Sequence, residues 1–332
     1  MNEKERLLRV LKGFDVDRPP VICPGGMMSA CTTEILEDIE NDHNLDYKAM
    51  AQASREIYNR TGFENYGVPF AMVVEAEPLG AKVEIGNKLV EERVIEYNSN
   101  SLERIMENYS VIPKNENRMN VVLNAIGELK DSNVPVIGNI TGHISTATSA
   151  VDPLIILKML IKEPERVYRF FKFINNYLIE YAKESINAGA DVIVIADPTA
   201  TGEILGPKNF SWFAVPLYKE LIDTIHSLNV PVIVHICGNT NTIIDGLNLT
   251  NADGYSFDSV VNMRYAKSKL SGRLMGNVST QLLHTGKKDK IISTTKNCID
   301  SGVDIISPAC GLSMATSIEN LKTMTDYVKR GI

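Results

Sequence analysis

One histidine and two cysteines stand at spacings that suit a metal ion. His235 and Cys237 are two residues apart at the end of a β-branched run, so on a strand their side chains point to the same side. Cys310 ends another such run and completes the pattern H-x-C-x72-C. An imidazole with two thiolates favours zinc, and three protein ligands leave a fourth position open, as in catalytic zinc sites. The same residues are also compatible with buried cysteines and a hydrogen-bonded core histidine.

Asp258 ends the next predicted strand and is the fourth residue of interest. Its carboxylate could complete the coordination sphere until a substrate displaces it. An equally good interpretation is a helix cap, or an acceptor that orients the ligands from behind. Both interpretations place Asp258 at the same end of the sheet as the three candidate ligands.

A glycine turn at the end of an early apolar run is a candidate for ligand binding. Gly25 and Gly26 would let the backbone approach a ligand, and Met27 and Met28 would add a flexible apolar surface. A tight turn with both methionines in the core explains the same residues.

Two polar residues at other strand ends complete the candidate set. Asn139 is equivalent to His235 in an internal echo, NVPVIGNITG against NVPVIVHICG, so it should face the same mouth. Asp197 opens a long polar turn, where it could hold a substrate, orient a metal ligand or cap the turn. His143 follows the strand of Asn139, and the sequence leaves its role open.

Length and composition are those of an ordinary soluble globular protein. The chain has 332 residues, of which 44% are hydrophobic and 23% charged, with a formal net charge of −7. No basic cluster is present, so neither a nucleic-acid partner nor an anionic membrane is expected. No apolar stretch approaches the roughly 18–20 residues of a membrane-spanning helix. Five cysteines, an odd number, and a charged N-terminal helix without an apolar leader indicate the reducing cytoplasm.

Eight short apolar runs alternate with helical stretches and predict the elements that position these residues. Such runs are typical of strands buried on both faces of a parallel sheet. Strand–helix alternation with eight strands favours a (β/α)8 TIM barrel, in which the strand carboxyl ends gather around one mouth. The predicted strands are Pro20–Pro24, Ala71–Glu77, Val134–Thr141, Ala190–Asp197, Val230–Cys237, Ala252–Asp258, Arg273–Val278 and Asp304–Cys310.

We predict a single domain over residues 1–332. Residues 1–70 are predicted to be mostly helical and to wrap the barrel, whereas residues 71–332 would form most of it. No linker rich in Gly, Ser or Pro interrupts the chain. The predicted helices are Glu3–Lys12, Thr33–Ile39, Tyr47–Arg60 and, as the longest, Pro164–Ala188 with Gly189 as its C-cap.

Along the whole chain lie, in order, seven longer motifs: ERLLRVLKGFDVDRPPVICPGGMM, GVPFAMVVEAEPLGAKV, GNITGHISTATSAVDP, IADPTATGEILGPKNF, VPVIVHICGNT, MGNVSTQLL and SPACGLS. These motifs resemble those of the uroporphyrinogen decarboxylase superfamily in its corrinoid-methyltransferase branch. They are most similar to the methylcobamide:coenzyme M methyltransferases. The porphyrin decarboxylase itself is disfavoured, because PGGMM stands where that enzyme carries an arginine-rich segment.

The resemblance implies a barrel of the uroporphyrinogen decarboxylase type and one zinc ion held by His235, Cys237 and Cys310. It also implies a carboxylate in the resting coordination sphere, where this chain has Asp258 in place of a longer Glu. The implied activity moves a methyl group from the methyl-Co(III) of a corrinoid to a thiol, with coenzyme M as the favoured acceptor. The corrinoid would arrive on a partner protein that docks on Met27, Met28 and the 197–207 loop.

Two other functions stay open at the level of the sequence. The first is a methyltransferase of the same fold whose acceptor is tetrahydrofolate or homocysteine. The second is a non-catalytic barrel that binds a corrinoid protein or a tetrapyrrole, with structural zinc or none. The methyl-donor pathway and the oligomeric state are not specified by these residues, although coenzyme M as acceptor would place the protein in methanogenesis and one-carbon metabolism.

Overall fold

The computed structural model of the protein describes residues 1–108 and 118–330. Within these residues the strands are β1 (Tyr66–Val68), β2 (Lys82–Glu84), β3 (Arg93–Glu96), β4 (Val136–Thr141), β5 (Val192–Ala196), β6 (Val232–Ile236), β7 (Gly254–Phe257), β8 (Arg273–Val278) and β9 (Ile305–Pro308). The α-helices are α1 (Glu3–Leu11), α2 (Thr33–Leu36), α3 (Tyr47–Thr61), α4 (Leu102–Asn108), α5 (Arg118–Leu129), α6 (His143–Ala150), α7 (Pro153–Lys162), α8 (Pro164–Ala188), α9 (Gly206–Asn209), α10 (Val215–Ser227), α11 (Ile244–Asn248), α12 (Met263–Lys269), α13 (Thr280–Thr285), α14 (Lys288–Asp300) and α15 (Ile318–Arg330).

Seven parallel strands form one sheet in the order β1-β4-β5-β6-β7-β8-β9, and β2 and β3 form a separate antiparallel hairpin. At the β9 edge, Val21 makes a parallel bridge to Ile306. The Val21 carbonyl also accepts the amide of Glu64, two residues before β1. The segment around Val21 therefore lies between the two edges of the sheet, in the position of an eighth barrel strand.

The predicted strands agree with the structure for β4 to β9 and differ near the N-terminus. Ala71–Glu77 is not a strand but a buried turn that leads into a 3-10 helix at Glu77–Leu79. Its apolar residues are covered because the turn folds over the end of β4, where the Thr141 hydroxyl donates to the Met72 carbonyl. The strand that pairs with β4 on the side away from β5 is instead the three-residue β1, which was not predicted. Pro20–Pro24 contributes only the Val21 bridge, since its prolines lack amides for a ladder.

Inward-facing positions change character along the strands. Near the amino ends, apolar side chains such as Ile137 and Ile233 pack with Leu7 and Leu11 of α1 in one buried cluster. Two residues further along the same strands the inward positions are polar, Asn139 on β4 and His235 on β6. The barrel therefore has an apolar floor sealed by α1 and a polar mouth at its carboxyl end.

The longest described helix is α8, at the predicted bounds Pro164–Ala188 and ending at Gly189 with φ +125°. Within the described residues no single helix is long and apolar enough to cross a membrane. Helices α6 and α7 reach that length only as a pair, and they are bent by 117° at the break between them.

His226 ties the end of α10 to the amino end of β6. Its Nε2 lies 2.8 Å from Oδ2 of Asp253, and the same oxygen accepts the amide of Val232. The hydrogen bond to Asp253 raises the pKa of His226 above its ordinary value, against the effect of burial. The protonated ring is therefore favoured in the folded chain.

We expect the variant His226→Asn to lose more stability at about pH 5.5 than at about pH 8.5. A raised folded-state pKa gives stability that is present below the unfolded-state pKa and is lost as pH rises through the folded value. The His226 side chain is 34% exposed. Because of this exposure, the difference should stay below about 1 kcal/mol. Urea unfolding of both proteins at the two pH values measures it, and a loss of stability independent of pH would contradict the assignment.

Candidate metal centre

Strands β6 and β9 bring His235, Cys237 and Cys310 together at the mouth of the barrel. One donor atom of each residue, a ring nitrogen and two Sγ atoms, lies within 4.8 Å of the other two. Nε2 of His235 is 3.3 Å from Sγ of Cys237, and the Cα atoms of Cys237 and Cys310 are 6.5 Å apart. The structure thus juxtaposes the three residues that the H-x-C…C spacing singled out, across 73 positions of sequence.

The ring of His235 is oriented by a serine on the neighbouring strand. His235 lies directly opposite Ser256 in the register of β6 and β7, and its Nδ1 is 2.9 Å from the Ser256 hydroxyl. This contact leaves Nε2 on the side of the cysteines. Burial lowers the pKa of His235 to about 4, so the ring is neutral at pH 7, the form in which imidazole binds a metal. Ser256 was not predicted from the sequence. Its position two residues before Asp258 could have indicated it, because residues two apart on a strand face the same side.

The structure joins Cys237 and Cys310 as a disulfide, whereas two separate thiolates were predicted. A disulfide and a shared metal ion require the same convergence of the two side chains. Zinc, however, binds cysteine only in its reduced and deprotonated form. The donor set of the reduced protein, one neutral imidazole and two thiolates with an open fourth position, fits zinc.

Asp258 braces the turn that follows Cys237. Its Oδ2 accepts the amide of Gly238 at 3.2 Å, and its Oδ1 accepts the Ser259 hydroxyl and the Val260 amide. Its oxygens do not belong to the group of donor atoms that lie within 4.8 Å of one another. The structure therefore shows the capping arrangement, and the role of Asp258 as a fourth ligand stays a prediction.

The turn at Gly25 and Gly26 places Met27 against the candidate ligands. Both glycines have positive φ, +98° and +56°. Sδ of Met27 lies 3.6 Å from Sγ of Cys237. On the other side, the Met27 carbonyl packs so closely on Gly311 that a Cβ there would lie 2.9 Å away. Met27 therefore forms part of the wall of the candidate metal centre.

Met28 faces the opposite way, and its predicted place on a docking surface is wrong. Its side chain is 1% exposed and belongs to the buried cluster in the barrel interior. Its Sδ lies 3.5 Å from the Ser256 hydroxyl, below the metal centre. The reversal of chain direction at the glycine turn puts these consecutive methionines on different sides of the loop.

Asn139 supports the glycine turn from β4. Its Nδ2 donates to the carbonyls of Pro24 at 2.6 Å and Val68 at 3.1 Å, and its side chain packs directly on Gly25 and Gly26. The amide is buried, so it holds the turn in place rather than offering itself to solvent at the mouth. Its predicted contact with a cofactor stays a prediction.

The carboxylate of Asp197 has a structural role. Its carboxylate is fully buried and accepts the amides of Ile144 and Ser145, the Ser145 hydroxyl and the Tyr218 hydroxyl. The Asp197 carboxylate therefore accepts backbone amides in the first turn of α6 that have no partner within the helix. The N-terminus of α6 lies over the end of β5. The sequence interpretation that Asp197 faces a substrate differs from this arrangement, because α6 covers the carboxylate.

A cavity of about 410 Å³ opens beside Met27 and Gly311. Phe70, Glu91 and Glu92 form part of its far wall. Neither glutamate was predicted from the sequence, because both reach the mouth only through the β2–β3 hairpin. Nothing in the spacing of these glutamates indicates that the hairpin folds over the barrel mouth.

A profile of the uroporphyrinogen decarboxylase (URO-D) family matches residues 2–331. The chain belongs to the URO-D family. Among its relatives, methylcobamide:CoM methyltransferase MtbA of Methanosarcina acetivorans is 30% identical over 334 residues, which cover 98% of this chain and 97% of that protein. MtaA of Methanosarcina barkeri, also named a methylcobamide:CoM methyltransferase, is 28% identical over 97% of this chain and 96% of its own length. The solved structure of a methyltransferase from Methanosarcina mazei superposes with a TM-score of 0.90 at 26% identity, covering 100% and 99% of the two chains.

These matches confirm the predicted α/β barrel and the predicted resemblance. MtbA and MtaA, which match this chain along nearly its full length, are named methyltransferases, and the protein is an enzyme of that type. Within this URO-D barrel, His143 is a core residue at the start of α6. Its ring is fully buried against Tyr218 at a centroid distance of 4.9 Å, and burial lowers its pKa to about 3.

We expect Gly25→Ala to destabilise this URO-D family member and to slow any reaction at the metal centre. A Cβ would lie 2.8 Å from Nδ2 of Asn139 and 3.0 Å from backbone atoms of Gly67 and Pro69, at a φ that alanine rarely adopts. The predicted loss is about 1–3 kcal/mol in the free energy of unfolding.

Gly302→Ala is the matched control, because Gly302 also has a positive φ of +82° but no atom within 4 Å of the point where a Cβ would lie. It should lose only about 1 kcal/mol. Urea unfolding compares the two variants. Equal losses would show that crowding against Asn139 is not the cause.

Proposed function

We propose that this URO-D family enzyme transfers a methyl group from the methyl-Co(III) of a corrinoid, carried by a partner protein, to a small thiol. The convergence of His235, Cys237 and Cys310 at the barrel mouth carries this proposal. Full-length similarity to proteins named methylcobamide:CoM methyltransferases supports the class of donor. Their names also make coenzyme M the first acceptor to test.

We further propose that the reduced enzyme holds one zinc ion through His235, Cys237 and Cys310. When bound there, zinc would supply the Lewis acidity that keeps a substrate thiol deprotonated near neutral pH, where a free alkyl thiol is mostly protonated. Ser256 holds the ring of His235 by Nδ1, so that Nε2 faces the cysteines. Both cysteines must be reduced, which supports our proposal of a cytoplasmic location.

In this reaction the main contribution of the protein is to position the two reactants. The thiol loses its proton to water, and its sulfur lone pair attacks the methyl carbon. The carbon–cobalt bond breaks, and both of its electrons stay on the metal as Co(I). The chain holds the thiol beside Met27 and leaves the mouth of the barrel for the corrinoid, so the two reactants meet in one orientation.

An acceptor assay tests the proposal. Reduced protein is mixed with methylcobalamin and, separately, with coenzyme M, homocysteine or tetrahydrofolate, and the loss of the methyl–cobalt absorbance is followed. Turnover with a thiol supports the proposal, and turnover with tetrahydrofolate alone would establish the alternative acceptor. Turnover with none of the three would overturn the proposed class of acceptor. Less than about half a zinc ion per chain in carefully prepared reduced protein would refute the metal assignment.

A further inference from the structure

The carboxylate of Asp258 lies outside the group of candidate donors, and three hydrogen bonds hold it there. Its Oδ2 accepts the amide of Gly238, and its Oδ1 accepts the hydroxyl of Ser259 and the amide of Val260. To bind a metal ion, the carboxylate would have to give up hydrogen bonds that brace the turn after Cys237. The fourth position of a tetrahedral site is therefore open to another side chain.

The side chain of Met27 reaches the candidate donors instead. Its Sδ lies 3.6 Å from Sγ of Cys237. Two sulfur atoms that bind one tetrahedral zinc ion, each about 2.3 Å from it, lie about 3.8 Å apart. The 3.3 Å between Nε2 of His235 and the same Sγ is likewise close to the roughly 3.5 Å of a nitrogen and a sulfur that share such an ion. Because sulfur atoms in van der Waals contact lie at a similar separation, the case also depends on the chemistry of the thioether and on how the chain holds it.

A methionine thioether suits this set of donors. Thioether and thiolate sulfur are both soft, and soft ligands favour zinc over the hard cations. A thioether carries no charge, so it adds no repulsion between itself and the two thiolates. It is also the weaker donor of the two kinds of sulfur, as its use as a distant axial ligand in copper proteins illustrates. Such a ligand can fill a coordination position and still yield it to a substrate thiol.

The chain fixes the backbone of Met27 on both sides. Before it, the turn at Gly25 and Gly26 has positive φ and is held by the side chain of Asn139. After it, the Met27 carbonyl packs on Gly311, the residue that follows the last candidate ligand. The side chain itself is unbranched and has three rotatable bonds. The sulfur can therefore move while the backbone that carries it stays in place.

The cavity beside Gly311 gives the Met27 side chain somewhere to go. Met27 lines this space of about 410 Å³ and is partly exposed in it, whereas Met28 is 1% exposed and enclosed in the core. The product of thiol methylation is itself a methyl thioether, the same group that ends the Met27 side chain. A site that releases its product would therefore also release Met27 when a thiol arrives.

We propose that Met27 is the fourth zinc ligand of the resting enzyme and that the substrate thiol displaces it. This inference rests on the proposed function and adds a protein ligand to it. The thiol sulfur takes the position of the Met27 Sδ, the thiol proton passes to water, and the thioether moves into the cavity. A neutral and displaceable thioether does not replace a thiolate, so zinc binding still depends on His235, Cys237 and Cys310.

Zinc K-edge X-ray absorption tests the inference, because it counts the sulfur neighbours of the ion without any turnover. The sample is the reduced, zinc-loaded full chain in the absence of thiol. We expect three sulfur neighbours at about 2.3 Å, from Cys237, Cys310 and Met27, together with the nitrogen of His235. In Met27→Leu the count should fall to two, with an oxygen or nitrogen atom in the vacated position. Leucine has nearly the volume of methionine, so this variant should fold.

Met72→Leu is the matched control. Met72 lines the same cavity, and its hydrogen bond with Thr141 uses its carbonyl rather than its side chain. This variant should keep three sulfur neighbours at the ion. Should Met27→Leu fold poorly, the sulfur counts of the wild type and of Met72→Leu still decide the question.

Addition of 2-mercaptoethanesulfonate tests the displacement. The count should stay at three in the wild type, where the thiol replaces Met27, and should rise from two to three in Met27→Leu. The calorimetric Kd of this thiol should be about threefold lower in Met27→Leu, because no internal ligand competes for the position. Four sulfur neighbours in the wild type, or a higher Kd in the variant, would overturn the displacement.

The outcomes separate this inference from the proposed function. Two sulfur neighbours in the wild type, unchanged in Met27→Leu, overturn the inference and leave the proposed function standing. Three sulfur neighbours that fall to two in Met27→Leu, in a protein that methylates no thiol, support Met27 as a ligand and overturn the proposed function. A reduced chain that binds no zinc overturns both the metal assignment and the inference.

Discussion

Replacing Cys310 by alanine should reduce thiol methylation by about a thousandfold or more and leave the barrel folded. Cys310 is one of the three candidate donors at the mouth, so its removal would leave only His235 and Cys237 of them for the proposed zinc ion. Two ligands do not hold a catalytic zinc, and the substrate thiol then stays mostly protonated. Zinc content per chain should fall together with the rate, whereas the circular-dichroism spectrum should stay the same.

Cys298→Ala is the matched control for this experiment. Cys298 is buried on α14, where its Sγ contacts Oδ1 of Asn277 at 3.6 Å, and it lies outside the group of metal donors. This variant should keep its zinc and its turnover. Wild-type turnover in Cys310→Ala, measured under reducing conditions, would refute the assignment of Cys310 as a zinc ligand.

Replacing Asp197 by alanine should lower the free energy of unfolding by about 3–5 kcal/mol. The change leaves two backbone amides of α6 and the hydroxyls of Ser145 and Tyr218 without their acceptor in a buried place. It also opens a gap beside Gly142, where an added Cβ would clash with Oδ2 of Asp197. Urea unfolding followed by circular dichroism measures the loss.

Asp245→Ala controls for the removal of a carboxylate as such. The Asp245 side chain is 85% exposed and lies 4.0 Å from Lys269, a contact that contributes little in water. We expect a change of no more than about 0.5 kcal/mol. A loss below about 1 kcal/mol in Asp197→Ala would contradict the structural role of Asp197.

The parts of the fold that could be predicted are those that depend on the local sequence of a single strand. The apolar runs of β4 to β9 are buried on both faces, so hydrophobicity alone located them. Strand-end spacing likewise indicated that His235, Cys237 and Cys310 would meet, because parallel strands end at one mouth.

The parts that escaped prediction depend on contacts between distant segments. Met27 and Met28 are adjacent residues of the same type, so the sequence does not distinguish their environments. The turn that Asn139 holds in place puts Met27 beside Cys237 and Met28 in the core. The turn at Ala71–Glu77 contains apolar residues as a strand would, but it is buried by folding over β4. Glu92 reaches the mouth through a hairpin that no local pattern ties to the barrel.

The division of the barrel into a floor and a mouth bears on how the protein can change. Ile137 and Ile233 belong to a cluster that α1 completes, whereas the polar side chains of Asn139 and His235, two residues further along the same strands, lie outside that cluster. We therefore expect substitutions among the mouth residues that only line the cavity to have little effect on the stability of the floor. A barrel built in this way would allow a few changes at the rim to exchange one acceptor for another while the scaffold beneath it stays folded.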